Sequence, residues 1–213
     1  MSNPWLNIPL ADYEGHMQSD EVQQLEALSE LFATALERFQ PTSVAISGVS
    51  GGNGLDQIDS RITKRVVGLD LNPYYLDETR KRYAATCNLS LHCVDLAEER
   101  VELERVRLVH AALIFEHAGL DRCLDNAVSL VDSGGILCVV LQLTGQAGQE
   151  IGSSNFPSLL TLKDSFALID PIILQKKLSS VGFQLIHEVH RSVSAGKCLW
   201  MGSFERYGAS SPV

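Results

Sequence analysis

Eight consecutive residues, Ser47-Gly48-Val49-Ser50-Gly51-Gly52-Asn53-Gly54, carry four glycines and follow directly on the short apolar run 43–47. Glycines at that density let a backbone turn sharply and come close to a ligand. Strand–glycine–helix turns serve phosphates and dinucleotides alike. Here Ser50 occupies the second glycine position of a G-x-G-x-x-G pattern, and no lysine follows to complete a P-loop. Asp70 ends the next apolar run, VVGLD. A carboxylate at such a tip faces the crevice of an open sheet and can accept both hydroxyls of a ribose. Taken alone it reads as a turn or capping residue; the glycine turn beside it favours the ribose role. Asp95 ends the third run, LHCVD, where it can accept from an adenine amino group while Leu96 offers its backbone amide to the ring. By itself Asp95 would be a helix cap.

These residues need elements to hold them. Short β-branched runs occur at 43–47, 65–69, 89–94, 106–113 and 135–141, with helical patterns at 53–60, 73–86, 96–105 and 120–131. Strands apolar on both faces and separated by helices imply a parallel sheet covered on each side, wound by right-handed crossovers. A further helix near 171–180 ends at Gly182, and two strands at 183–191 and 197–205, joined through Ala195-Gly196, form a terminal hairpin. The predicted fold class is α/β: a doubly wound seven-stranded sheet, mostly parallel, finished by an antiparallel hairpin strand. Before it, Ser19 caps a helix over 20–39 whose stripe runs Val22, Leu25, Leu28, Phe32, Leu36 and Phe39. Residues 1–18 read as an irregular arm too apolar to stay in water. Its expected place is over the crevice, with Tyr13, His16 and Met17 nearest the ligand.

The chain has 213 residues, enough for one domain with a substantial core. Within it, 1–40 is read as arm and covering helix, 41–142 as the binding core, and 143–213 as an acceptor region with the hairpin. No basic stretch followed by an apolar block marks the N-terminus, so the expected compartment is cytoplasmic. No apolar run is long enough to span a membrane. Five cysteines without a CxxC pair read as free thiols rather than metal ligands. A formal charge of −9 argues against a nucleic-acid partner, and Arg80-Lys81-Arg82 reads as a solvated helix face.

The ordered series VAISGVSGGNG, VVGLDLNP, LHCVD, VRLVHAALIFEHAG and LVDSGGILCVV resembles the motifs of class I S-adenosylmethionine-dependent methyltransferases. The ending LQKKLSSVGFQLIHEVH is similar to that family's closing helix and hairpin, and the likeness covers roughly residues 20–205. The resemblance implies S-adenosylmethionine as cofactor. It assigns Gly48, Val49, Ser50, Gly52 and Asn53 to the methionine end, Asp70 and Leu71 to ribose and adenine, and Asp95 and Leu96 to the adenine edge. Ala111 and Ala112 would lie beside the transferable methyl, with Tyr13 and Met17 over it. Where the family usually has an acidic residue this chain has Ile46, and Ser50 replaces a frequent glycine.

Methyl transfer from a sulfonium needs alignment and dryness more than a fixed catalytic group, so no single residue is demanded. His117, Glu116, His16 and Tyr13 are the candidates for a proton acceptor, with packing as the competing role for His117. Trp5 and Phe156 read as core aromatics. The acceptor is expected to be a small molecule bound between the arm and residues 142–170, including Gln142 and Thr144. Two alternatives stand beside this: a cofactor-binding protein without transferase activity, and a nicotinamide-dependent oxidoreductase.

Overall fold

Five of the apolar runs form the strands β1 (Ser43–Ser47), β2 (Arg65–Asp70), β3 (Leu89–Cys93), β4 (Val106–Ala112) and β5 (Val131–Leu143) in a computed structural model. It describes residues 3–83, 88–143, 156–163, 165–193 and 197–207. β6 (Phe183–Ser192) and β7 (Cys198–Arg206) complete a seven-stranded sheet in the order β3-β2-β1-β4-β5-β7-β6. All pairs among β1 to β5 are parallel, and β7 is antiparallel to both β5 and β6. Six strands therefore run one way and β7 runs against them. The order reverses at β1, and the crevice beyond the strand tips at such a point is where open α/β sheets hold ligands.

Burial explains the strand composition. β1, β2 and β4 are buried almost throughout, whereas β6, at the sheet edge, alternates buried or half-buried with exposed residues. Helices α2 (Gln24–Phe39) and α3 (Pro73–Tyr83) pack on one face through Leu31, Phe32, Ala35 and Leu76 against Val44, Leu108 and Val140. Helices α4 (Phe115–Ala118), α5 (Arg122–Leu130) and α6 (Pro171–Ser180) cover the other face. Removing one of these fully buried side chains, Leu108→Ala for example, costs roughly 2–5 kcal/mol.

Four expectations are corrected. Residues 10–18 form a helix, α1 (Leu10–Gln18), preceded by a 3-10 turn Pro4–Asn7. Ser19 ends α1 instead of starting the next helix: its hydroxyl donates to the His16 carbonyl at 2.8 Å. α2 begins only at Gln24, because Gln23 takes a left-handed conformation that breaks the run. Of the pattern at 53–60 only the 3-10 turn Leu55–Gln57 forms. No helix forms over 96–105. There the buried Asn126 of α5 donates to the carbonyls of Leu96 and Glu99 and accepts from the Val101 amide. These bonds satisfy backbone groups that a helix would otherwise have satisfied internally. Thr144, Cys87 and the Ala195-Gly196 turn lie outside the described residues.

Candidate functional site

The glycine turn is fixed to the tip of β2 by a short set of bonds. The amides of Gly48 and Val49 donate to the Leu69 carbonyl at 2.9 and 3.0 Å. Gly48 has φ +75° and lies against Ile114, so a side chain there would be strained and crowded. Ser50 has φ +49°, a glycine-like conformation that costs a side chain about 1 kcal/mol. Two hydrogen bonds hold it there. Its amide donates to Asp70 Oδ2 at 2.8 Å and its carbonyl accepts from Thr79 at 2.6 Å, while its own hydroxyl is buried without a partner among the described residues.

Asp70 is therefore held at both oxygens, Oδ1 accepting from the Asn72 amide at 2.9 Å. Burial pushes its pKa up to about 6, and the amides of Asn72 and Ser50 hold it from rising further. Asp95 is fixed similarly: Oδ1 accepts from the Ala97 amide at 3.0 Å, and Oδ2 from the Asn3 side chain at 3.2 Å.

A cavity of about 580 Å³ opens beside these carboxylates and continues past the tips of β4 and β5. Its roof is the N-terminal segment. Asn72 donates to the Trp5 carbonyl at 2.9 Å and Tyr75 to the Ile8 carbonyl at 2.9 Å. Ser158 donates to Asp12 at 2.6 Å, and Arg82 pairs with Glu14 directly above Gly51. Ile8, Leu159 and Leu162, with Trp5, Tyr13 and Phe156 against them, close this roof as a small apolar cluster. Of the three cationic residues read as a solvated face, Arg80 and Lys81 are exposed and pair within α3, while Arg82 ties α3 to the arm.

Past β4 the wall is aromatic. The His117 ring meets Trp5 edge-on at 4.9 Å and Phe166 at 5.2 Å. Burial lowers its pKa to about 4, so the ring is neutral at pH 7, and its Nδ1 is buried without a partner among the described residues. Glu116 lies 1% exposed behind this wall, with Oε1 accepting from the Gln142 amide at 2.9 Å and Oε2 without a partner among the described residues. Burial raises its pKa to about 7 against that amide bond. Gln24 donates to the Gln142 side chain at 2.7 Å. Burial lowers the pKa of His16, and nearby Lys197 adds to the effect. Tyr13 stays a neutral phenol, its pKa raised by burial and then by Asp70.

Among the residues read from sequence, Gly48, Ser50, Asp70, Leu71, Asp95, Leu96, Ala112, Tyr13, Met17, His16 and His117 line this one cavity. Four others do not. Val49 is core, Ala111 is fully buried, Gly52 packs on Tyr83, and the exposed Asn53 amide donates to the Leu25 carbonyl at 2.8 Å. Those four shape the turn or the sheet under the cavity without reaching it. Trp5, read as core, is a wall residue, whereas Phe156 packs on Gly15. Tyr75, Gln24, Phe166 and Lys197 also line the cavity and were not anticipated. For the arm a signal was present: Leu10, Tyr13 and Met17 follow i, i+3, i+7 spacing, interrupted to the eye by Gly15.

Seven strands in this order, with the antiparallel β7 and a glycine turn at the switch point, constitute the fold of class I S-adenosylmethionine-dependent methyltransferases. Among solved structures, the chain is similar to the N-methyltransferase NodS of Bradyrhizobium japonicum WM9 in complex with S-adenosyl-L-homocysteine. The TM-score is 0.73 at 15% identity over 96% of this chain and 99% of that one. It is also similar to the magnesium protoporphyrin IX methyltransferase of Synechocystis PCC 6803, with TM-score 0.63 and 14% identity over 84% and 82% of the two chains. The cyclase SpnF matches with TM-score 0.65 and 11% identity, over 89% and 84%. No family model and no curated protein matches the sequence. At such identities the likeness is one of fold.

Proposed function

We propose that the protein transfers a methyl group from S-adenosylmethionine to a small-molecule acceptor. The observation that carries this reading is one continuous cavity, running from the paired carboxylates at the β2 and β3 tips to the aromatic wall beyond β4. The residues present fit the cofactor. Asp70 is held in place by two backbone amides and keeps lone pairs for a ribose. Among the described residues the buried Ser50 hydroxyl has no partner, which buried polar groups rarely tolerate. Leu71, Val94 and Leu96 offer apolar surface on which a purine could lie, and Asp95 is an acceptor for its amino group.

S-adenosylmethionine supplies a methyl group made electrophilic by its sulfonium. This chain's residues would align and enclose. Ala112, Leu113 and Ile114 form the floor at the β4 tip, while Trp5, Tyr13 and Met17 exclude water from above. Orientation of this kind can contribute about 7–11 kcal/mol. The neutral His117, its buried Nδ1 without a partner among the described residues, is the group suited to accept a hydrogen bond from the acceptor.

Calorimetric titration with S-adenosylmethionine, S-adenosylhomocysteine and NAD tests the cofactor. We expect both sulfur ligands to bind and NAD not to; the reverse outcome sinks the reading. Release of S-adenosylhomocysteine in the presence of pooled metabolites then tests transfer. Tight binding without any release would favour a second reading, cofactor binding that serves another reaction, toward which the likeness to a cyclase points.

A further inference from the structure

The cavity is electrically lopsided. Its β2–β3 end carries three carboxylates, Asp70, Asp95 and Glu98, and among the described residues the only lysine or arginine in its lining is Lys197, at the opposite end. Lys197 is 9% exposed, and among the described residues it stands in none of the ion pairs and donates to no side chain. A buried ammonium without a counter-charge is costly, and proteins usually pair it. Burial pulls its pKa down accordingly, and its charge is felt by the His16 imidazole in the same wall. The same cavity is lined by Met17, Val22, Leu162, Phe166 and the Gln24–Gln142 amide pair, and the carboxylate whose charge is felt at His16 is Glu21.

The position of Lys197 in the sheet separates it from the cofactor half. It precedes β7 by one residue, next to the register pair Leu143↔Cys198, and β7 lies three strands from β1 in the sheet order. At about 4.8 Å per strand its backbone stands roughly 14 Å across the sheet from the glycine turn. From β4, where the transferred methyl would lie, it is two strands away, roughly 10 Å. The lysine side chain takes up part of that span, and the remainder is of the order of one ring.

We propose, resting on the methyl-transfer reading above, that the acceptor is a small organic carboxylate with an apolar body, and that Lys197 is the residue that selects it. The carboxylate pairs with the ammonium, the apolar body lies along Phe166 and Leu162, and the nucleophile reaches towards the β4 tip. A single ammonium beside a neutral imidazole matches one negative charge, which disfavours a doubly charged phosphate. An amine-bearing acceptor would meet like charge at the same place.

The test uses the full chain saturated with S-adenosylhomocysteine and three probes of matched size: phenylacetate, phenylacetamide and phenethylamine. Calorimetry on the wild type should give phenylacetate an affinity about ten-fold above the amide, with the amine weakest. Lys197→Gln should abolish the ten-fold preference, and Lys197→Arg, which keeps the charge, should retain most of it. S-adenosylhomocysteine should bind Lys197→Gln within about two-fold of wild type, which also reports that the variant is folded. A wild type that does not prefer the carboxylate overturns the proposal, as does a preference that survives in Lys197→Gln. So does a loss of S-adenosylhomocysteine affinity equal to that of phenylacetate, because Lys197 would then serve the cofactor's own carboxylate. Should the wild type bind no S-adenosylhomocysteine at all, the methyl-transfer reading fails separately, and the same three probes on the unliganded protein still decide what Lys197 selects.

Discussion

At the β1–β3 end of the cavity Asp70 is the last residue of β2 and Asp95 follows β3 by two residues, and each is positioned by backbone amides: Ser50 and Asn72 for Asp70, Ala97 for Asp95. At the β4–β7 end the polar groups arrive from six separate segments: α1, α2, α4, the tip of β5, the stretch around Ser165 and the approach to β7. There they are held by packing and by one another, as in the Gln24–Gln142 pair and the Trp5–His117–Phe166 contacts. The first end is anionic and built on the sheet, the second aromatic with a lone cation and built on its coverings. Groups fixed by the sheet suit a ligand that never varies. Groups borne on coverings can be exchanged without disturbing the strands, as suits the part of a site that sets specificity.

Substitutions can break that division. The largest effect is expected at Asp70→Ala, which should weaken S-adenosylhomocysteine binding by roughly 2–4 kcal/mol in calorimetry, since a charged acceptor is lost from a partly dry site. Asp70→Ala binding as tightly as wild type would show that the acidic end is not the nucleoside end.

Next is Glu116→Gln, read by denaturant unfolding at several pH values. The folded pKa of Glu116, about 7, lies above its ordinary 4.5, so the native state binds the proton more tightly than the unfolded chain. That contribution is fully present below pH 4.5 and is lost as pH rises through 7. Relative to wild type, the Gln variant should therefore gain roughly 2–3 kcal/mol between pH 5 and pH 8. An unchanged difference would mean that the acceptor end is wetter than its burial indicates.

Trp5→Ala should let water reach His117 and move its pKa from about 4 back towards 6.5, by at least about one unit, in an NMR titration of the imidazole. No movement would separate the arm from the aromatic wall. The smallest effect is expected at Gly51→Ala. Its new methyl would collide with the Glu14–Arg82 pair, whose ends are flexible, so unfolding stability should change by less than about 1 kcal/mol while proteolysis of the arm quickens. A protected arm in that variant would mean that the ion pair does not hold the roof.

The same division governs what could be read from the chain. Asp70 and Asp95 were legible because an apolar strand and its tip are contiguous, and a carboxylate ending such a run marks itself. The glycine turn and the terminal hairpin were legible for the same reason. Lys197 was not, because nothing local distinguishes a lysine before an apolar strand, and its place in the cavity wall depends on how distant segments come together. The stretch at 96–105 misled because its polar and apolar spacing suits a helix, while the competing bonds come from Asn126, in a different element.

Ser50 bears on how such a chain is found at all. The turn needs a left-handed residue there, and serine supplies it at φ +49° with Asp70 and Thr79 holding its amide and carbonyl. The instruction for the turn is thus written in a dihedral angle and two hydrogen bonds instead of in a glycine. A reader of letters sees a motif missing its middle glycine, whereas a reader of shape sees the turn intact. That is consistent with a chain that no family model matches and whose backbone nonetheless superposes on methyltransferases at 15% identity.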